Sequence, residues 1–211
     1  MFLNRILVIF FVLIFLSGCA GTPWVVEKKD QTMPPVSSDK AQIIFLKPSK
    51  AYLASIFLPN VYEVADDNFT HLGMIGSTNK IVHNVKPGKT RFFALVGQMG
   101  HILDAELQAG KQYYVILRYL HGGGFQLRPV RPANVPKVPD AAEFRDNDPE
   151  FDTWVAEARF VEKTPEGNES YTKYYTNEVI KKAYQHALAG WNKKTPAEKS
   201  QLTLNKSDNI N

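Results

Sequence analysis

The chain has 211 residues, of which 44% are hydrophobic, 22% are charged and 12% are aromatic. This composition excludes a disordered chain, because disordered segments lack the apolar residues that a core needs. The 25 Lys and Arg residues against 21 Asp and Glu residues give a formal net charge of +4, too little over this length to indicate nucleic-acid binding. The single cysteine excludes an intramolecular disulfide framework.

The first 18 residues have the pattern of an export signal. Arg5 supplies a positive charge, and residues 6–16 form an unbroken apolar run. As a helix this run would span about 16 Å, roughly half of a hydrocarbon core of about 30 Å. It is too short for a transmembrane anchor, so residues 1–18 are interpreted as a signal peptide.

The signal ends in Leu16-Ser17-Gly18-Cys19, which resembles the lipobox of bacterial lipoproteins. The resemblance implies that cleavage precedes Cys19 and that Cys19 carries acyl chains, palmitate among them. At roughly 0.8 kcal/mol per buried CH₂, several acyl chains would anchor the protein durably to a membrane. The next residue is Ala20 rather than the aspartate that retains family members at the inner membrane, which implies the outer membrane, facing the periplasm. The alternative is an ordinary cleaved signal peptide with a buried cysteine nearby.

Residues 19–40 are polar and rich in proline, which is typical of a tether between a lipid and a domain. The segment Trp24-Val25-Val26 is an apolar exception. It either docks on the domain or lies at the lipid headgroups, and the sequence leaves both possibilities open.

Residues 41–130 contain short β-branched and aromatic runs separated by Gly- and Pro-containing turns, a pattern typical of a sandwich or barrel. Gly and Pro are disfavoured inside central strands, so they set the strand boundaries. Strands are predicted at residues 42–46, 52–58, 62–64, 71–75, 80–85, 90–96, 102–107, 112–119 and 125–128.

Two turns in this domain resemble a known family of uncharacterised bacterial lipoproteins with one β-sandwich domain of unknown function. One is Val85-Lys86-Pro87-Gly88 before Phe92-Phe93, and the other begins the run Ala109-Gly110-Lys111-Gln112-Tyr113-Tyr114-Val115. The resemblance implies a mainly β fold, an immunoglobulin-like antiparallel sandwich on a lipid anchor. It supplies no catalytic residues.

The rest of the chain is predicted to be a connector and a C-terminal helical appendage. Residues 131–147 are proline-rich and are interpreted as an extended connector. Residues 148–204 have helical periodicity, with an N-cap at Asp148, a long amphipathic helix at 170–191 and a capping box that starts at Thr195. Residues 205–211 form a polar tail that is predicted to be disordered.

Motifs for catalysis are incomplete. His121-Gly122-Gly123-Gly124 matches an oxyanion-hole motif, but the chain lacks the nucleophile elbow that must accompany it, which favours a glycine hairpin. Gly88-Lys89-Thr90 ends like a phosphate-binding loop, yet the required earlier glycine is His83 and a strand follows. The scattered histidines lack metal-ligand spacing, so neither a metal nor a cofactor is predicted.

Tyrosines are the candidate ligand-binding or partner-binding residues, because tyrosine offers a stacking surface and a hydrogen bond. The alternative is that they pack in the core or help a helix to dock. The candidates are Tyr113, Tyr119, Tyr171, Tyr174 and Tyr175.

The sequence therefore predicts a non-catalytic, lipid-anchored binding or scaffold module of the cell envelope. Its expected partners are the membrane, through Cys19, and another envelope protein or a glycan. One alternative is an envelope hydrolase with a dispersed site that includes His101, Asp104 and His121. Another is a subunit that docks through the helix at 170–191, with Lys181 and Lys182 on its exposed face.

Overall fold

Two mixed β-sheets and four α-helices make up the part of the chain that the computed structural model describes, residues 24–48, 58–76, 78–120, 124–138 and 143–210. The strands are β1 (Val25–Glu27), β2 (Ala41–Leu46), β3 (Asn60–Ala65), β4 (Asn68–Met74), β5 (Asn79–Val85), β6 (Gly88–Val96), β7 (Met99–Leu107), β8 (Gln112–Tyr119), β9 (Phe125–Arg131), β10 (Phe144–Arg145), β11 (Arg159–Lys163) and β12 (Thr203–Leu204). The helices are α1 (Phe151–Glu157), α2 (Pro165–Tyr174), α3 (Asn177–Asn192) and α4 (Pro196–Gln201), and a 3-10 turn follows at Lys206–Asp208.

The prediction of a mainly β fold is confirmed, but the sheets are not purely antiparallel. The seven-stranded sheet has the order β1-β11-β5-β2-β8-β9-β10, and the five-stranded sheet has the order β12-β7-β6-β3-β4. Four neighbouring pairs are parallel: β2 with β8, β5 with β11, β9 with β10, and β7 with β12. In three of them one strand comes from the region after residue 131, so C-terminal segments complete both sheets.

The inner faces of the two sheets enclose the main hydrophobic core. Phe45 of β2 meets Phe92 of β6 edge to face, with ring centroids 5.2 Å apart. Other members come from both sheets, including Ile43, Val61, Leu103, Val115 and Leu127. Removal of these apolar side chains from water is the main driving force that holds the two layers together.

Helices cover the outer face of each sheet. On the five-stranded sheet, Ile180 and Tyr184 of α3 pack against Phe93 and Ile102. On the seven-stranded sheet, Phe151 of α1 packs in one cluster with outward side chains of β2, β8 and β9. These side chains are Ile44, Tyr114 and Val130. The helices and the sandwich thus form one layered unit, whereas an appendage separate from a domain at 41–130 was expected. The reason is that strands such as Ala41–Leu46 are buried on both faces and need cover on both.

The N-terminal segment differs from the predicted tether from Trp24 onward. β1 pairs antiparallel with β11, and the Lys28 N–H donates to the Phe160 carbonyl at 2.8 Å. The side-chain amide of Gln31 also donates to the Phe160 carbonyl and accepts from the Phe160 N–H. These residues extend the seven-stranded sheet, because β11 offers them an unpaired edge.

Three corrections concern the C-terminal region. The predicted connector contains β10, which pairs with β9. The helix expected at residues 170–191 is two helices, since the first ends at Tyr174 and Thr176 caps the second, its hydroxyl accepting from the Val179 N–H. The tail expected to be disordered is ordered as far as Ile210, and Asp208 is buried.

Two local predictions about helix starts had different outcomes. The capping box is confirmed, because the Thr195 hydroxyl accepts from the Glu198 N–H while the Glu198 carboxylate accepts from the Thr195 N–H. Asp148, expected to cap α1, instead accepts the Arg145 N–H at 2.7 Å, and the helix begins at Phe151.

Several predicted features lie outside the described residues. They are the lipidation site Cys19, His121 and all but the last residue of the strand predicted at 52–58. Within the described part of the chain, no helix is both long and apolar enough to span a membrane.

Candidate functional site

A polar cleft of about 820 Å³ opens at one end of the five-stranded sheet. At this end β3 finishes, β6 begins and β7 finishes, so three neighbouring strands present their last or first side chains together. The β3–β4 and β5–β6 turns, β12 and Tyr184 of α3 complete the walls. A concave site of this size is the usual first candidate for ligand binding.

Arg91 lies in the wall of the polar cleft. Its Nε donates to Asp104 Oδ1 at 2.6 Å and its Nη2 donates to Asp104 Oδ2 at 3.0 Å, a bidentate pair across the β6–β7 hairpin. Its Nη1 donates to the Tyr184 hydroxyl at 3.2 Å. These bonds, those to Asp104 above all, raise the pKa of Arg91 above its ordinary value. The guanidinium is therefore a permanently charged, fixed group in the wall.

A second polar pair joins the two sheets beside the cleft. His83 Nε2 on β5 lies 2.8 Å from Glu63 Oε2 on β3, and both side chains are about three-quarters buried. The Thr90 hydroxyl lies 3.5 Å from the other carboxylate oxygen of Glu63. This pairing fixes the Glu63 carboxylate in the cleft wall.

Exposed charges of both signs surround the opening of the cleft. Asp66 and Asp67 lie on the β3–β4 turn, Lys86 lies in the β5–β6 turn and Lys89 lies at the start of β6. Glu106 on the third side pairs with a lysine of the 3-10 turn at 3.1 Å, with both groups about half exposed. The rim can therefore meet a ligand that carries both positive and negative groups.

A partly buried polar cluster lies between α2 and β4. The His71 ring stacks on Tyr171 with centroids 4.2 Å apart, and Lys163 Nζ lies 4.3 Å above the same tyrosine ring. His71 Nε2 faces Asn60 Oδ1 at 3.0 Å, and Nδ1 faces Lys163 Nζ at 3.2 Å. Burial, reinforced by Lys163, lowers the pKa of His71 to about 4. A neutral imidazole fits both contacts, because it donates from Nε2 and accepts at Nδ1.

The structure does not bring the five candidate tyrosines together. Tyr113 is fully buried, and its hydroxyl accepts from the Gln108 N–H at 3.0 Å and donates to the Lys206 carbonyl at 3.2 Å. Tyr113 is thus a structural residue, and its predicted place on a ligand-binding face is wrong because alternate residues of β8 face the inner core.

The other four tyrosines lie in three further places. Tyr119 sits near the end of β8 beneath Lys47, and burial raises its pKa to about 12. Tyr171 in the last turn of α2 stacks on Tyr175, which directly follows the helix. The Tyr175 hydroxyl accepts from a backbone N–H in the β6–β7 turn. Tyr174 is 57% exposed and stacks on Trp24.

The structure does not bring together His101 and Asp104, two of the residues suggested for a dispersed hydrolase site. His101 and Asp104 stand three residues apart on β7, so their side chains leave opposite faces of the sheet. The Nδ1 of His101 accepts from the Leu127 N–H between the sheets, and burial lowers the pKa of this histidine to about 3. Asp104 faces the helical side, where Arg91 binds it.

The helix that was expected to dock on a partner uses its apolar face within the chain. Ile180, Tyr184 and Trp191 of α3 are buried against the five-stranded sheet. Lys181 and Lys182 are exposed, as predicted. Only the polar face of α3 is left for a partner.

Neither a protein-family model nor a curated protein matches this sequence. A solved structure, described as the NMR structure of the protein from Eubacterium rectale, aligns with a TM-score of 0.31 and 12% sequence identity. That alignment covers 42% of this chain and 86% of the other chain.

The polar cleft was missed in the sequence because its partners are distant along the chain. Arg91 and Asp104 become neighbours only when the β6–β7 hairpin fixes their register. The turn near Gly97 is a local signal from which that register could be derived. The contact of Arg91 with Tyr184, 93 residues further along the chain, has no such local signal. Among the described residues, no group of three His, Cys, Asp or Glu side chains is placed to hold a metal ion.

Proposed function

We propose that the protein is a lipid-anchored, non-catalytic binding module of the bacterial cell envelope. In this proposal acyl chains on Cys19 hold a β-sandwich to the outer membrane, facing the periplasm, and a segment of another envelope protein occupies the polar cleft. The observation that carries the proposal is the fixed Arg91–Asp104 pair in the wall of a cleft whose rim exposes charges of both signs.

The charges at the rim favour a protein segment over a neutral glycan. Exposed ion pairs contribute little to stability, typically about 0–1 kcal/mol, so the rim charges are not needed for the fold. Complementary charges do raise association rates and specificity. A peptide chain with both acidic and basic side chains complements Lys86 and Lys89 on one side and Asp66 and Asp67 on the other.

Anchoring is tested by replacing the residue that would be acylated. With Cys19→Ala, we expect the uncleaved precursor to accumulate and the mature lipoprotein to disappear from the outer-membrane fraction. Globomycin, which blocks lipoprotein signal cleavage, should reproduce the precursor in the unmodified protein. A Cys19→Ala protein that migrates and fractionates like the unmodified protein would refute the anchor.

Occupancy of the cleft is tested by photo-crosslinking in intact cells. A photoreactive residue at Lys89, on the rim, is compared with the same residue at Lys182, on the exposed face of α3. We expect a crosslinked protein band from position 89 that is absent at position 182, and mass spectrometry then identifies the partner. A band from position 182 alone would instead support docking through the C-terminal helix.

A further inference from the structure

Trp24, the first residue that the structure describes, packs against the rest of the domain. The Thr164 N–H donates to the Trp24 carbonyl at 3.0 Å, and the next residues form β1. The Trp24 ring stacks on Tyr174 with centroids 6.4 Å apart and an interplanar angle of 11°. Trp24 thus connects the first turn of α2 with its last.

Gly167 allows this close approach. A Cβ placed on Gly167 would lie 2.0 Å from the Trp24 carbonyl oxygen, a distance that no side chain tolerates. Gly167 and Tyr174 are seven residues apart and so lie on one face of α2, along which the Trp24 side chain runs. The position of Trp24 is therefore fixed by backbone packing as well as by ring stacking.

The proposed lipid attachment lies five residues before Trp24. Five residues span at most about 18 Å even when fully extended. A folded chain of this size is roughly 40 Å across. The segment from Cys19 to Trp24, here called the leash, is therefore shorter than the domain is wide. Acyl chains inserted in a bilayer must hold the Trp24 side of the domain close to the membrane surface.

The chemistry of this side suits the headgroup layer of a bilayer. Tyr174 is 57% exposed and Val26 is 40% exposed, beside the partly buried Trp24. Trp and Tyr are enriched at membrane–water interfaces, where the ring is apolar and its polar atom stays wet. Lys173 Nζ lies 5.6 Å from the centroid of the Tyr174 ring, and α2 also exposes Glu169, so charges of both signs accompany the pair and no anionic lipid is required.

We propose that the Trp24–Tyr174 surface lies against the headgroup layer of the bilayer that holds the acyl chains of Cys19. This inference rests on the proposed lipid anchor, and it adds a fixed orientation of the domain. The aromatic pair acts as a second, weaker membrane contact that keeps the domain from swivelling about the leash. The opposite end of the layer formed by α2 and α3 then points into the periplasm.

The test measures the distance of two labelled sites from the lipid headgroups. Because acylation blocks the sulfur of Cys19, a cysteine introduced elsewhere is the single free thiol of the protein. Lys173→Cys places a fluorophore beside Tyr174, and Asn192→Cys places it at the far end of α3, about 23 Å along that helix. Both positions are exposed, and neither variant removes an aromatic ring.

The full acylated proteins are reconstituted in vesicles of phosphatidylethanolamine and phosphatidylglycerol that contain a lipid with a nitroxide on its headgroup. We expect both variants to float with the vesicles and the label at 173 to be quenched several-fold more than the label at 192. Flotation with equal quenching, or with stronger quenching at 192, would overturn the orientation alone. Failure of both variants to float would overturn the anchor and the orientation that depends on it.

Discussion

Arg131 on β9 and Asp208 near the C-terminus form a buried ion pair, with Nη1 and Oδ2 2.6 Å apart and both side chains at most 3% exposed. The other terminal nitrogen of Arg131 donates to the carbonyls of Ser200 and Thr203 at 2.8 and 3.3 Å. The guanidinium thus holds three points of the C-terminal chain against the sandwich. The segment from Ser200 to Asp208 is consequently part of the fold.

Asp208→Ala should destabilise the protein strongly. The substitution removes one of the two carboxylates beside the buried Arg131 and leaves Glu143 Oε1 3.4 Å from its Nε. Removal of one partner of a buried pair typically costs about 3–5 kcal/mol, and the remaining Glu143 places the expected cost at the lower end of that range. The midpoint of urea unfolding measures this effect. Ser207→Ala, at the exposed neighbouring position, is the control and should unfold at the midpoint of the unmodified protein. Equal midpoints for all three proteins would show that the C-terminal contact contributes no stability.

The positions of the strands followed from local chemistry. Gly and Pro mark the turns, and the predicted strand at 112–119 has the bounds of β8. The other predicted strands that the structure describes differ by a few residues at their ends, whereas β1 lies in the predicted tether and β11 in the predicted helical region. The strands β10 and β12 are two residues long and exist only because an edge is free to pair with them. Periodicity has no meaning over two residues, so the sequence carried no signal for them.

The sequence also contains a signal that helices cover both outer faces of the sandwich, although a separate helical appendage was expected. The runs Ile43 to Leu46 and Phe92 to Val96 are apolar at every position, whereas a sheet with one wet face alternates. Continuous apolar strands require cover on both faces, and the amphipathic helices of the C-terminal region were the available cover. The site was less predictable, because Arg91, Tyr184 and Glu63 come from three separate elements.

Gly167→Ala should detach Trp24 from α2. The added methyl group would overlap the Trp24 carbonyl, and the backbone at that point must shift. We expect faster amide hydrogen exchange in β1 and a loss of the hydrogen bond from Thr164. Gly190→Ala is the matched control, since a Cβ there meets nothing within 4 Å and alanine favours a helix by up to about 1 kcal/mol. Unchanged exchange in β1 of the Gly167→Ala protein would contradict the docking of Trp24.

The stability of the protein should fall between pH 6.5 and pH 4. Burial, with Lys163, lowers the pKa of His71 from 6.5 to about 4, so the folded state favours the neutral ring. In this window the unfolded chain binds the proton and the folded chain does not, so protonation favours unfolding as the pH falls. The shift corresponds to about 3 kcal/mol at most for this residue.

Urea unfolding at several pH values measures this dependence. His71→Gln should flatten the slope of unfolding free energy against pH in this window, with His101 responsible for a remaining part because burial lowers its pKa to about 3. His186→Gln changes an exposed ring and should leave the slope as it is. An unaltered slope in the His71→Gln protein would show that its ring is accessible to protons in the folded state.

Tyr113→Phe and Tyr174→Phe should separate a structural hydroxyl from an exposed one. Loss of the Tyr113 hydroxyl leaves the Gln108 N–H and the Lys206 carbonyl without that partner, and we expect a cost of about 1 kcal/mol in unfolding free energy. Tyr174 is 57% exposed, so its variant should unfold at the midpoint of the unmodified protein. The reverse order of stabilities would contradict the packing of β8.

Asp104→Asn should weaken partner binding through the polar cleft while leaving the fold largely intact. The carboxylate and Arg91 are 32% and 28% exposed, so their pairing is screened by water and should contribute no more than about 1 kcal/mol to stability. The neutral amide keeps the size of the side chain but loses the charge, so Arg91 presents an uncompensated positive charge to the cleft. We expect the crosslinked band from a photoreactive residue at position 89 to decrease several-fold, with the urea midpoint nearly unchanged. A band of undiminished intensity in the folded variant would show that the partner does not recognise the Arg91–Asp104 pair.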